Sequence, residues 1–334
     1  MMFAGYTTED IKEWLTEKKV LFVTNTMCRP GTTFLSSIKT YIDYVPIHNF
    51  HIIYGIVNDK PFYGVDAFLE MIAKCYSDSS FKKFDYVIYI DEDAFITDFK
   101  SMLSIFYNFI ENDEFCLAGP QDGGVICHRN HKGMMINTFI SFWNMKMLRN
   151  VSKPNDFLKV LNEINASQNT SYTKFETLLK QRHPDTYSKM FNVSNAMIIC
   201  IEDYRKKTFN DKGESPYCKI VRDDSNNPVE PHQTPYSVGK ETNNYEPYYI
   251  IEQAMVLLTG LPIYYMNATD YYNPEESDVE MDNSGLTSAV YDNTWGLFCV
   301  HTWFSRGYSK WPKNNMMLEH TKRINKVITK YGKI

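Results

Sequence analysis

The sequence predicts an α/β protein built on a mostly parallel sheet with helices on both faces. Three observations carry this expectation. Short apolar runs alternate with helical patterns over the first 120 residues, the rhythm of β-α-β units. The runs are continuously apolar, as strands buried on both faces must be. Each of the first three stops abruptly at a polar residue, at Asn25, Asn58 and Asp91. On parallel sheets ligands collect at that carboxyl edge.

The elements follow in order. Val20 to Thr24 reads as a buried strand closed by Asn25, and Gly31 to Tyr44 as a helix. His51 to Val57 is a second strand, stopped by Asn58 and Asp59, and Asp66 to Tyr76 a second helix. Asp85 to Ile90 is a third strand. Asp98 to Glu111 is an amphipathic helix, and Phe115 to Ala118 a fourth strand before Gly119-Pro120. The rhythm then changes. Gln121 to Gly133 reads as a loop, Met134 to Met147 begins as a strand, and Pro154 to Ile164 is helical. Residues 205–245 are charged and aperiodic, and read as an irregular insertion or lid. Tyr248 to Leu258 is a helix, and Leu261 to Met266 and Gly296 to His301 are late strands. No internal repeat is present.

Bulk properties narrow the function. A formal net charge of −5 with no long basic block argues against nucleic acid as a partner. The start, Met1 to Gly5 running into Thr8-Glu9-Asp10, is not a signal peptide. No run of about 18 apolar residues is present to span a membrane. The seven cysteines form no Cys-x-x-Cys pair, which fits a reducing, cytoplasmic setting. Asn-x-Ser/Thr sequons at Asn150, Asn165, Asn192 and Asn267 then reflect an Asn-rich chain. Aromatic residues make up 15% of the chain, which suits stacking on sugars or bases and a plain core alike.

Two segments carry chemistry. In Tyr89-Ile90-Asp91-Glu92-Asp93, three acids end an apolar strand. If the chain stays extended, Asp91 and Asp93 face the same side, and paired carboxylates can hold a hard divalent cation, Mn²⁺ or Mg²⁺, that bridges phosphate oxygens. The second segment runs from His301 to Pro312. Here a strand delivers His301, a neutral imidazole able to complete a metal site. Gly307 lets backbone N–H groups approach phosphate, and Lys310 adds positive charge. Thr24, Asn25 and Arg29, at or just beyond the first strand's end, are placed by topology to meet a nucleotide's base, ribose or phosphate. Glu252 and Glu246 are carboxylates suited to a general base, and Gln253 beside Glu252 to orienting a substrate. His128 and Arg129, in the loop after the fourth strand, are acceptor-side candidates.

These residues resemble a GT-A glycosyltransferase, most closely the retaining family that holds glycogenin and the bacterial lipopolysaccharide galactosyltransferases (glycosyltransferase family 8). Its Tyr-Leu-Asp-x-Asp metal motif is matched by Tyr89 to Asp93. Its Phe-Asn-x-Gly strand is matched by Ile136-Asn137 onward to Asn144, Lys146 and Arg149, and its closing His-x-x-Gly-x-x-Lys-Pro-Trp by His301 to Pro312. Departures are the Thr138-Phe139 that replaces the glycine after Asn137, five residues between His301 and Gly307, and an exchanged Trp311-Pro312. Glu252-Gln253 stands in partial echo of the family's Asp-Gln pair.

The resemblance implies a GT-A, Rossmann-like fold with an irregular acceptor-side insertion. It implies a nucleotide-sugar-binding half over 1–120 and an acceptor-side half over 121–334, within one continuous domain. It also implies a metal-dependent transferase that moves a sugar from a nucleoside diphosphate sugar, UDP-sugar favoured, to a glycan or glycoconjugate acceptor with retention. Asp91, Asp93 and His301 become the expected metal ligands, and Glu92 and Lys74 expected donor-binding residues. Asn137 and Gln253 become sugar-positioning residues. The alternatives are an inverting enzyme with Glu252 or Glu246 as base, a nucleotidyltransferase, and a non-catalytic carbohydrate-binding protein. Cys28 to Thr33, with one Gly and one Arg, is thin for the nucleotidyltransferase's basic glycine-rich loop.

Overall fold

The computed structural model describes residues 2–26, 33–54, 56–57, 60–61, 65–121, 134–164, 171–193, 248–270, 287–292, 296–302 and 329. Helix α1 (Thr8–Glu17) opens the chain with a reciprocal cap. Asp10 N–H donates to Thr7 Oγ1, and Thr7 N–H donates to the Asp10 carboxylate, which satisfies two otherwise orphaned donors. Its buried face is Ile11, Trp14 and Leu15.

Strand β1 (Val20–Thr26) is buried along its whole length. Leu21 and Val23 enter one core cluster, and Val20 and Phe22 the other. That two-sided burial is why the run shows no polar alternation. There follow α2 (Phe34–Lys39), short 3-10 turns at Ile42–Tyr44 and Ile47–Asn49, β2 (Phe50–Tyr54), the two-residue strands β3 (Ile56–Val57) and β4 (Lys60–Pro61), α3 (Val65–Ser77) and α4 (Ser79–Lys82). Next come β5 (Tyr86–Ile90), β6 (Ala94–Ile96), α5 (Phe99–Ile110), β7 (Leu117–Pro120) and β8 (Ile140–Asn144). The remaining elements are α6 (Met145–Val151), α7 (Pro154–Ile164), α8 (Ser171–Arg182), α9 (residues 184–193), α10 (Tyr249–Thr259), β9 (Ile263–Asp270), β10 (Thr287–Asp292) and β11 (Gly296–Thr302).

The central sheet has the order β2-β1-β5-β8-β7-β9-β10-β11-β6. Strand β1 pairs in parallel with β2 and β5, and β7 in parallel with β9. Strand β8 runs antiparallel between β5 and β7, and β10, β11 and β6 extend the sheet by antiparallel pairs. Taken by direction, β1, β2, β5, β7, β9 and β11 point one way and β6, β8 and β10 the other. The α/β class holds, with a mostly parallel sheet flanked by helices.

Several local expectations change. The helix expected over Gly31 to Tyr44 is only α2 plus a 3-10 turn. The strand expected from Met134 begins at Ile140. Asn144 ends it by accepting the Met147 N–H on its side chain, which caps α6. Residues 205–245 lie outside the described residues.

At the amino end of β5, where the antiparallel β8 has its carboxyl end, Asp113 accepts hydrogen bonds from the Tyr86 hydroxyl at 2.8 Å and from Asn144 Nδ2 at 3.3 Å, and pairs with Lys146. Burial works to raise the Asp113 pKa, but the hydrogen bonds from Lys146 and Tyr86 outweigh it and hold the carboxyl below its ordinary value. The carboxyl edge is thereby left to other chemistry.

Candidate metal centre

Strand β5 ends at Ile90 and the chain turns at once. Ala94 N–H donates to the Asp91 carbonyl at 3.1 Å, so the segment does not stay extended. Asp91 and Asp93 converge through this turn, and not through the two-residue alternation of a strand. Asp91 Oδ1 accepts the Glu92 N–H at 3.1 Å, and Thr33 Oγ1 donates to the Glu92 carbonyl at 2.9 Å. Asp91 keeps partial exposure, whereas Glu92 and Asp93 are buried.

The turn delivers the chain into β6, which pairs antiparallel with β11. The register sets His301 opposite Ala94, beside Asp93. His301 Nε2 lies 3.1 Å from Asp93 Oδ1, with both side chains almost wholly buried. Ligand atoms from Asp91, Asp93 and His301 all lie within 4.8 Å of one another.

This donor set fits a hard divalent ion. Two adjacent ligands at about 2.1 Å from an octahedral ion stand about 3.0 Å apart, and the His301–Asp93 separation matches that edge. Cys299, two residues before His301, stands outside this group. It is buried, and among the described residues the group of mutually close ligand atoms comprises only Asp91, Asp93 and His301.

The residues around the triad are held from β8's approach. Phe139 accepts the Asp91 N–H on its carbonyl at 2.8 Å. Its ring stacks on the His301 imidazole, centroids 4.2 Å apart and planes 9° from parallel. Asn137 is buried, donates its N–H to the Pro120 carbonyl at 2.7 Å and accepts the Phe139 N–H on Oδ1 at 3.4 Å. Glu252 is fully buried on α10, and its Oε2 accepts the Ile136 N–H at 3.1 Å. Gln253 is fully buried, and both amide atoms lack a hydrogen-bond partner among the described residues.

Other candidates spread over the fold. Thr24 and Asn25 are buried near the end of β1, one strand from Asp91. Lys74 sits in the last turn of α3, paired with Glu70 at 3.3 Å and 5.1 Å above the Phe81 ring. Arg29, His128, Arg129, Glu246, Gly307 and Lys310 lie outside the described residues. Sequence reasoning missed Phe139 as a neighbour of the triad. Its only signal was an aromatic just before an apolar strand. Among the described residues no helix is long and apolar enough to cross a membrane.

No protein-family model matches the chain, and no curated protein matches it either. Among solved structures, similarity extends to A197 from STIV, with 16% identity over 41% of this chain and 70% of that one, at a TM-score of 0.25. It extends also to a glycosyltransferase involved in the glycosylation of the major capsid of PBCV-1, with 12% identity over 46% of this chain and 73% of that one, at a TM-score of 0.27.

Proposed function

We propose that this protein is a metal-dependent glycosyltransferase that uses a nucleoside diphosphate sugar, with UDP-sugar the favoured donor and a glycan or glycoconjugate hydroxyl the acceptor. The observation that carries the reading is the meeting of Asp91, Asp93 and His301 at the carboxyl edge of parallel strands. Parallel sheets bind their ligands at that edge, and two carboxylates with an imidazole are donors suited to Mn²⁺ or Mg²⁺. Motif resemblance supplies the sugar.

Asp91, Asp93 and His301 hold the ion in this reading. When bound, the ion neutralises charge on the diphosphate leaving group. The partial exposure of Asp91 leaves one side of the site open to a donor. Gly307 and Lys310 follow His301 by six and nine positions in the chain, and we assign them to the diphosphate. Thr24, Asn25 and Arg29 belong to the nucleoside side, together with Glu92 and Lys74 in lesser, positioning roles. Asn137 and Gln253 orient the sugar. The acceptor hydroxyl replaces the diphosphate at the anomeric carbon, and its proton passes to the leaving diphosphate.

Retention is the favoured outcome on the motif resemblance of Asn137 and the His301–Lys310 segment, and the burial of Glu252, whose Oε2 accepts the Ile136 N–H, is in keeping with it. An inverting general base must instead reach the acceptor hydroxyl. The deciding experiment is a screen of nucleoside diphosphate sugars for hydrolysis or transfer, with and without EDTA, with proton NMR of the fresh product. Metal-dependent release of nucleoside diphosphate with an anomer matching the donor supports the proposal. Consumption of added pyrophosphate with formation of a nucleoside triphosphate and a sugar 1-phosphate identifies a nucleotidyltransferase, and binding of sugar without turnover identifies a lectin.

A further inference from the structure

We infer that Phe139 is the positioning residue that assembles the metal centre, holding Asp91 through its main chain and His301 through its ring. The inference rests on the metal reading above and deepens it. Asp91 and His301 reach the site on different elements, one from the end of β5 and the other from β11. Phe139 touches both. Its carbonyl accepts the Asp91 N–H at 2.8 Å, and its ring lies flat on the imidazole at a centroid distance of 4.2 Å.

Phe139 is itself fixed. It is 1% exposed, its N–H donates to Asn137 Oδ1, and the next residue, Ile140, pairs with Ile90 across the β5–β8 ladder. An imidazole turning about its Cβ–Cγ bond must pass through an orientation perpendicular to its starting plane. A phenyl ring at stacking distance occupies that space. The face contact therefore keeps Nε2 directed at Asp93, and the ring covers one face of the imidazole against water. A metal ligand pre-set in this way need not be ordered when the ion binds.

The test uses the full-length protein with Mn²⁺ alone as the probe, free ion being counted by electron paramagnetic resonance. Phe139→Leu keeps the main-chain acceptor and apolar bulk but removes the ring, and Phe139→Tyr keeps the ring. The inference expects Phe139→Leu to weaken Mn²⁺ binding by roughly tenfold, the lower end of what outer-shell partners contribute to metal affinity, and Phe139→Tyr to restore it. It also expects the His301 ring protons of the wild type, assigned with His301→Gln, to resonate upfield from the phenyl ring current. Equal affinity of wild type and Phe139→Leu, or equal weakening in both variants, overturns the inference and leaves the metal reading standing. Failure of the wild type to bind Mn²⁺ overturns the metal reading and the inference with it. Should Phe139→Leu not fold, the wild-type ring-current shift decides, and its absence overturns the stacking role.

Discussion

His301 and Asp93 stand 208 positions apart in the chain, yet Nε2 of one lies 3.1 Å from Oδ1 of the other. The three-residue ladder between β6 and β11 makes this possible, because it aligns His301 with Ala94. Main-chain register thus brings the two residues side by side.

If these donors bind an ion, removing one carboxylate abolishes the binding. Saturating Mn²⁺ at about 100 times its dissociation constant stabilises the wild type by about 2.7 kcal/mol, a rise in Tm of about 4 °C for a chain of this size. Asp93→Asn is expected to remove that rise while leaving the metal-free Tm within a few degrees. Differential scanning fluorimetry with and without MnCl2 measures both. A wild-type Tm that ignores Mn²⁺ counts against the site.

Glu252 separates a structural carboxylate from a chemical one. Glu252→Gln keeps an acceptor for the Ile136 N–H, so stability and transfer are expected to stay near wild type. Glu252→Ala leaves that buried N–H unpaired, at a cost of about 1–3 kcal/mol. A general base would behave differently, with Glu252→Gln losing about 10²–10⁴-fold in rate. Urea unfolding and single-turnover kinetics on the two variants tell the roles apart.

Gly119 lies under the same segment. A methyl group there would meet Ile136 Cδ1 at 2.7 Å, Ile136 Cβ at 3.2 Å and the Ile140 carbonyl at 3.3 Å. The isoleucine tip can move, but its Cβ and the strand carbonyl cannot move freely. Gly119→Ala is expected to destabilise by about 1–3 kcal/mol through overpacking, and to weaken Mn²⁺ binding by displacing residues 136–140. A variant as stable as wild type and with unchanged Mn²⁺ affinity would show that this segment tolerates displacement.

Asp113 sets part of the acid limit of stability. Its folded pKa lies below the ordinary carboxylate value of 3.8. The linked stability is therefore complete above that value and is lost as pH falls through the folded pKa. Asp113→Asn is expected to cost about 1 kcal/mol at pH 7, a modest figure because the pair with Lys146 is partly exposed. The difference from wild type is expected to be smaller at about pH 3 than at pH 7. Urea denaturation at the two pH values checks the sign.

Much of the fold was legible because burial leaves a plain trace. The continuous apolar runs at β1 and β5 are buried on both faces, and their polar stops mark the carboxyl edge. The placement of β8 was not legible. Met134 to Met147 read as a run that begins with a strand, but nothing local tells a buried strand which neighbours it will join. Strand β6 was missed for a related reason. Ala94-Phe95-Ile96 is too short to show a period, and its identity comes only from β11. At the site, the residue types of Asp91, Asp93 and His301 were readable, but the turn that joins the two acids was not. Phe139 was unreadable as a site neighbour because an aromatic before a strand looks the same whether it packs on a leucine or on an imidazole.

The ladder between β6 and β11 also bears on the birth of the protein. Ribosomes add about 5–20 residues per second, so Asp93 precedes His301 out of the synthesis machinery by about 10–40 s. Throughout that interval the nascent chain carries the two carboxylates without the imidazole that faces them. The three side chains can therefore meet only after translation has passed β11.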